Sequence, residues 1–220
     1  MRKIPLIKNE YYHVYNRGVD KRNIFGTKGD SNRFLQSMDS FNTEEPVGSL
    51  YQLSFDKRFG RRTSKSSKKL VEIVCFCLNL NHFHFLLKQV AENGISEFMK
   101  RLSGGYTKYF NEKNERSGVL FQGKFKSSHI DSNEYMLHLS VYINLNNLIH
   151  GLSGEEFKNL SFSSWKEYIE ENMESSMCAK QVILDQFKSR EEYKDFAEKS
   201  LPDIIARKTQ EKEIEEMFID

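Results

Sequence analysis

His82 and His84 stand two residues apart in the apolar run 78–87, and Tyr142 and Asn146 lie four residues apart in a helical pattern further on. On a strand, residues i and i+2 project from one face, so both imidazoles can reach a single point. On a helix, i and i+4 stack on one side, so a phenol and an amide are presented together. Two imidazoles with a side-chain oxygen form a donor set for a divalent metal, and a tyrosine beside them is a nucleophile toward phosphorus. The combination points to chemistry on a nucleic-acid backbone. A plainer reading of the same residues stays open, in which Asn146 caps a helix end and Tyr142 is a core aromatic. An asparagine on an otherwise apolar stripe, which also carries His138, must in either case find a polar partner when buried.

The elements that must position these groups follow from periodicity. Tyr11 to Asn16 is rich in β-formers and runs into the turn Arg17-Gly18-Val19-Asp20, which predicts a first strand. Asp30 or Ser31 can cap a helix reaching about Phe41, with Phe34, Leu35, Met38 and Phe41 in one stripe. Leu70 to Gln89 reads as strand, turn, strand, or as one long bent strand, with both histidines in its second half. From Asn93 the period changes from two to 3.6, and Ile95, Phe98, Met99, Leu102, Tyr106, Tyr109 and Phe110 mark an amphipathic helix to about Asn114. Val119 to Ser128 reads as a half-exposed strand with a basic outer face. A further helix is expected from about Ser132 to Leu148, and residues 176–220 read as short acidic helices with Pro202 as a break.

Composition narrows the class. At 220 residues, 38% hydrophobic and 13% aromatic, the chain can bury a core. No stretch approaches the ~18 apolar residues of a membrane span, and no signal-peptide core follows Met1, so a cytoplasmic protein without a membrane partner is expected. Three cysteines without framework spacing argue against a secreted disulfide fold, and Cys75 with Cys77 reads as a buried strand pair. The net charge of +2 conceals a division. Residues 1–130 carry 23 Lys and Arg against 12 Asp and Glu, whereas residues 131–220 carry 10 against 19. The basic excess peaks at residues 57–69, with seven cations among Gly, Ser and Thr. Such a segment can condense on phosphates and release counterions, or can simply be solvated.

Together these residues resemble a known family. The run Leu78-Asn79-Leu80-Asn81-His82-Phe83-His84-Phe85-Leu86, then Gly94 to Leu102, Leu120-Phe121-Gln122-Gly123-Lys124-Phe125-Lys126 and Tyr142-Ile143-Asn144-Leu145-Asn146 are similar to the single-tyrosine HUH transposases, in particular the REP-associated tyrosine transposase branch. The opening Tyr12-His13-Val14-Tyr15-Asn16-Arg17-Gly18 and Ser163-Ser164-Trp165 match as well, so the resemblance spans roughly residues 8–170 in consistent order.

The resemblance implies an α+β fold, a ferredoxin-like antiparallel sheet with flanking helices. Residues 1–160 would form the catalytic domain and 161–220 a C-terminal helical extension. It implies that His82, His84 and Asn146 hold Mg²⁺ or Mn²⁺ and that Tyr142 is the nucleophile. Attack on a DNA phosphodiester would leave a 5′-phosphotyrosine and a free 3′-OH, conserving the bond for strand transfer. A phenol is mostly protonated at neutral pH, and a metal that polarises the scissile phosphate can offset the developing charge by several kcal/mol. The implied substrate is single-stranded DNA folded into a REP-like hairpin, with Asn16, Arg17, Arg61, Arg62, Gln122, Lys124 and Lys126 as DNA-binding candidates. A nucleoid-associated location, and a monomer or a homodimer sharing tyrosines across subunits, go with that reading. Two departures stand out: Asn79-Leu80 replaces the family's Met-Pro, and Asn146-Asn147-Leu148 replaces Asn-Pro-Val. Neither removes a proposed ligand or the nucleophile. The rival reading from another class is a domesticated, non-cleaving protein that binds hairpin DNA or RNA on the same scaffold.

Overall fold

The computed structural model describes residues 5–45, 48, 50, 68–151, 161–171 and 176–217, without the side chains of 211–217. Its strands are β1 (Tyr11–Arg17), β2 (Val71–Asn79), β3 (His82–Gln89), β4 (Lys126–Ile130) and β5 (Phe162–Ser163). Its helices are α1 (Lys28–Phe41), α2 (Gly94–Lys113), α3 (Asn133–Asn144), α4 (Asn146–Ile149), α5 (Trp165–Ile169), α6 (Gln181–Leu184) and α7 (Arg190–Met217). The sheet runs β4-β1-β3-β2-β5 with every neighbour antiparallel. Its first four strands and the helices α1 and α2 follow the β-α-β-β-α-β order of a ferredoxin-like fold, as the sequence leads one to expect. Residues 57–67 of the cation-rich segment, Arg61 and Arg62 among them, lie outside the described residues.

Alternation along the strands sends apolar side chains to both faces. Tyr12, Val14, Phe76, Leu78, Phe83, Phe85 and Leu87 pack on the face covered by α1 and α2. Val74, Cys75, Cys77 and Leu86 pack on the opposite face under α3 and α7, with Tyr168 and Tyr193. An irregularity in β2 decides which side chains join the histidines. The pairing with β3 shifts register between Ile73 and Cys75, and a one-residue shift exchanges faces. Ile73 therefore lies in the first cluster and Cys75 and Cys77 in the second. The cysteines are buried and free, as the strand-pair reading expects.

The hairpin Leu80-Asn81 resolves the strand-turn-strand alternative in favour of two strands. Without the family's proline, the turn is held from outside: the Leu80 carbonyl accepts from Ile24 N (2.7 Å) and Phe25 N (2.9 Å), and Asn81 O accepts from Gly18 N at 2.8 Å. Gly18 is required here, since a Cβ would sit 2.4 Å from the Arg22 carbonyl oxygen.

Four local readings differ from the structure, the first being the strand expected over Val119–Ser128, which forms only as β4 from Lys126 to Ile130 because residues 119–125 make a single bridge, Phe121 to Gly18. α1 starts at Lys28, because Thr27 is the cap and Asp30 is its capping-box partner three residues in. The helix carrying Tyr142 stops at Asn144, and Leu145 (φ −107°, ψ 16°) separates it from α4, which begins at Asn146. α7 runs through Pro202. A mid-helix proline costs roughly 3 kcal/mol, but Leu201 and Ile204 flanking it both pack on the second core cluster.

The C-terminal elements brace the tyrosine helix. Ser164 accepts from Phe76 N (2.9 Å) and donates to Asn144 Oδ1 (2.6 Å), while the Tyr193 hydroxyl accepts from Asn144 Nδ2 (3.0 Å) and pairs with Ser140 Oγ (3.1 Å). Tyr193→Phe leaves the Asn144 amide short of a partner in a buried site. The expected loss in urea denaturation is about 1–3 kcal/mol.

Candidate active site

The strand pairing sets the floor of the site. His84 pairs with Tyr15 of β1 and Cys77 of β2, and His82 with Arg17 and Asn79, so these six side chains share one face of the sheet. α3 and α4 lie over that face. Tyr142 presents its ring edge to His84 (centroids 5.5 Å apart) and to His13 (6.2 Å). Asn146 Oδ1 lies 3.3 Å from His82 Nε2. The four residues singled out from the sequence thus come together. The kink at Leu145 changes how, since Asn146 reaches His82 from a separate short helix.

Hydrogen bonds determine which atoms face the site. Asn81 Nδ2 donates to Lys21 O (3.1 Å), which turns Asn81 Oδ1 toward His82 Nδ1 at 2.7 Å. His82 Nδ1 is then the donor and Nε2 carries the lone pair. Asn79 Nδ2 sits 3.0 Å from that nitrogen and donates to Asn146 Oδ1 at 2.6 Å. The two hydrogens of the Asn79 amide thus serve the His82 and Asn146 acceptors together. Asn146 Nδ2, in contrast, is buried with no hydrogen-bond partner. Leaving it so costs on the order of 1–3 kcal/mol, and the amide is presented oxygen-first at that cost. At His84, Nδ1 is taken by His13 Nε2 at 2.9 Å, which leaves Nε2 as the ligand-type nitrogen, with His13 orienting the ring.

These donors fit a divalent cation: an imidazole nitrogen with its tautomer set, a second imidazole held by a partner, and an amide oxygen aimed at the first. Among the described residues no three His, Cys, Asp or Glu side chains form a metal-holding group, so an amide oxygen would complete the set.

Burial holds the histidines neutral. It lowers His13 to about 4. His82 is lowered to about 4 by burial, by neighbouring His150 and by Arg17 and Lys208, against the hydrogen bond that its protonated ring would donate to Asn146 Oδ1. His84 is pushed well below the usual range by burial and by the other histidines. An unfolded histidine takes its proton near pH 6.5, so the unfolded chain binds more protons once the pH falls below that value. Stability is complete above pH 6.5 and falls as the pH drops toward 4, by about 3 kcal/mol for His82 alone. Urea midpoints measured between pH 7 and pH 4.5 check this, and His82→Gln should flatten the decline.

A cavity of about 640 Å³ opens over the histidines, lined also by Tyr15, Tyr135, Tyr142, His138 and His150. Of the other sequence candidates, Arg17, Gln122 and Lys126 line it. Asn16 borders it too, but is 6% exposed and its amide serves Gly123 O and Arg17 N. Lys124 is exposed and not in the lining. Sequence reasoning passed over His13, which stacks on His84, and His150, which meets His82 edge-on. The alternation His13-Tyr15-Arg17 along β1 was the available signal for His13. It also passed over Asn79 as the amide linking His82 to Asn146.

Residues 55–146 match the family model described as Transposase IS200 like. That segment holds both histidines and Tyr142 and ends on Asn146. Over that segment the chain is similar to the IS200-like transposases, so the resemblance to single-tyrosine transposases rests on a family-model match as well as on its motifs. Among solved structures, this chain is similar to a REP-associated tyrosine transposase bound to a REP hairpin, at 13% identity and a TM-score of 0.47, over 77% of this chain and 84% of that one. It is also similar to a putative transposase from Deinococcus radiodurans R1, at 13% identity and a TM-score of 0.37, over 64% and 95%. No curated protein matches. No described helix is long and apolar enough to cross a membrane.

Proposed function

We propose that the protein is a metal-dependent single-stranded DNA endonuclease and strand transferase acting on hairpin, REP-like DNA. The observation that carries this reading is the convergence of His82, His84 and Tyr142 on one cavity, with the half-exposed phenol packed against His84 and the buried Asn146 Oδ1 3.3 Å from His82 Nε2. Bound at His82 Nε2, His84 Nε2 and Asn146 Oδ1, Mg²⁺ or Mn²⁺ would supply Lewis-acid polarisation of the scissile phosphate. Tyr142 Oη attacks phosphorus as its proton leaves; the P–O3′ bond breaks, and the departing oxygen gains a proton to become a 3′-OH. The phosphate remains esterified to Tyr142 through its 5′ side, so a second 3′-OH can reverse the step and join a different strand. Arg17, Lys126 and Gln122 hold the flanking backbone, and Tyr15 and Tyr135 offer rings on which unpaired bases stack.

The test is incubation with labelled single-stranded hairpin DNA and Mn²⁺, followed by denaturing electrophoresis. A covalent protein–DNA band that disappears with chelator is the expected result. Tight binding with no cleavage or adduct under any metal condition would replace this reading with the domesticated binder.

A further inference from the structure

The cavity over the histidines is lined by four strong cations and by no Asp or Glu among the described residues. Arg17 stands at the end of β1 and Lys126 at the start of the edge strand β4, while Arg207 and Lys208 come from α7. α7 is otherwise a helix of mixed charge. It holds Glu191, Glu192, Asp195, Glu198 and Asp203, yet where it meets the cavity it presents two consecutive cations beside Ile204.

That placement is set from a distance. Tyr193 and Ala197 are fully buried against α3, Arg190 donates to the carbonyls of Glu167 (2.9 Å) and Tyr168 (2.8 Å), and Phe196 packs its ring on His138. The first turns of α7 are thus clamped, and a continuous helix carries residues 204–208 to the cavity mouth. The positive potential is felt inside. Lys208 disfavours protonation of His82, His84 and His150, and Arg17 acts likewise on His82 and His150. Four like charges lining one cavity repel one another, and a polyanion entering the cavity relieves that repulsion. A small inorganic anion would engage one or two of them. The cavity volume and its lining of aromatic rings suit a phosphodiester chain with bases attached.

We propose that Arg207 and Lys208 of α7, facing Arg17 and Lys126 across the histidines, seat backbone phosphates of the single-stranded nucleic acid, so that the C-terminal helix forms one wall of the substrate site. This rests on the nucleic-acid reading above and assigns a role to the C-terminal extension, which the sequence leaves open.

Binding is measured on the full chain carrying Tyr142→Phe, which prevents covalent capture, by fluorescence anisotropy of a fluorescein-labelled single-stranded hairpin oligonucleotide across a salt series. Adding Arg207→Gln with Lys208→Gln weakens binding and flattens the plot of log affinity against log salt by about 1.4, since each single-strand phosphate contact contributes roughly 0.7. Lys199→Gln, one charge removed from the same helix outside the lining, leaves the slope as it was. An unchanged slope in the double variant, or tighter binding because α7 covers the site until DNA displaces it, overturns the inference while leaving the proposed function standing. Failure of the Tyr142→Phe parent to bind DNA at all overturns the nucleic-acid reading, and this inference with it.

Discussion

Replacing Tyr142 by Phe is expected to abolish the covalent protein–DNA adduct and to lower strand cleavage by on the order of 10³-fold or more, with hairpin binding close to wild type. The substitution removes one oxygen from a half-exposed ring whose packing is edge-on to His84 and His13, and phenylalanine can keep both contacts. No hydrogen bond is recorded for the hydroxyl among the described residues, so the fold loses little. Electrophoresis of the denatured protein with labelled DNA checks the adduct, and anisotropy checks binding. A persisting adduct would move the nucleophile to another phenol in the same cavity. Tyr135, 41% exposed and in the lining, is the first to test by Tyr135→Phe.

His82→Ala and His84→Ala should each remove metal-dependent cleavage. A cation polarising the phosphate lowers the barrier by several kcal/mol, and each 1.36 kcal/mol is tenfold in rate, so the expected loss is on the order of 10³-fold. The two variants differ in what they disturb. Losing His82 leaves Asn81 Oδ1 and the Asn79 and Asn146 amides to rearrange. Losing His84 removes the hydrogen-bond partner of His13 and the ring on which Tyr15 and Tyr142 pack. Thermal denaturation separates unfolding from lost chemistry, and Mn²⁺ titration calorimetry on each folded variant reads the site without catalysis. Cleavage that continues unchanged in chelator would show that the histidines hold no required metal.

The architecture was largely legible in the chain because its signals are local. Period two in Tyr11–Asn16 and around His82, and period 3.6 from Asn93, need only neighbouring residues to be read, and they yield β1, β2, β3 and α2 to within a few positions. Boundaries set by long-range contacts were not legible. The helix carrying Tyr142 ends at Asn144 rather than near Leu148. There Asn144 turns inward to Ser164 and Tyr193, 20 and 49 residues away. α7 survives Pro202 because apolar residues on both sides of it are packed against the core.

The candidate site divides in the same way. The spacing of His82 with His84 was enough, on a strand, to put both imidazoles on one face, because alternation is a property of the backbone itself. Tyr142 and Asn146 could be paired with them only through motif resemblance, since no local rule brings residue 146 to residue 82. What tertiary structure alone decided is the convergence: the register shift in β2 that brings Asn79 to the histidine face, the His13 contact that orients His84, and the passage of a C-terminal helix with two cations over the cavity. Each depends on pairing between segments far apart in the chain, and the sequence of either segment carries no mark of its partner.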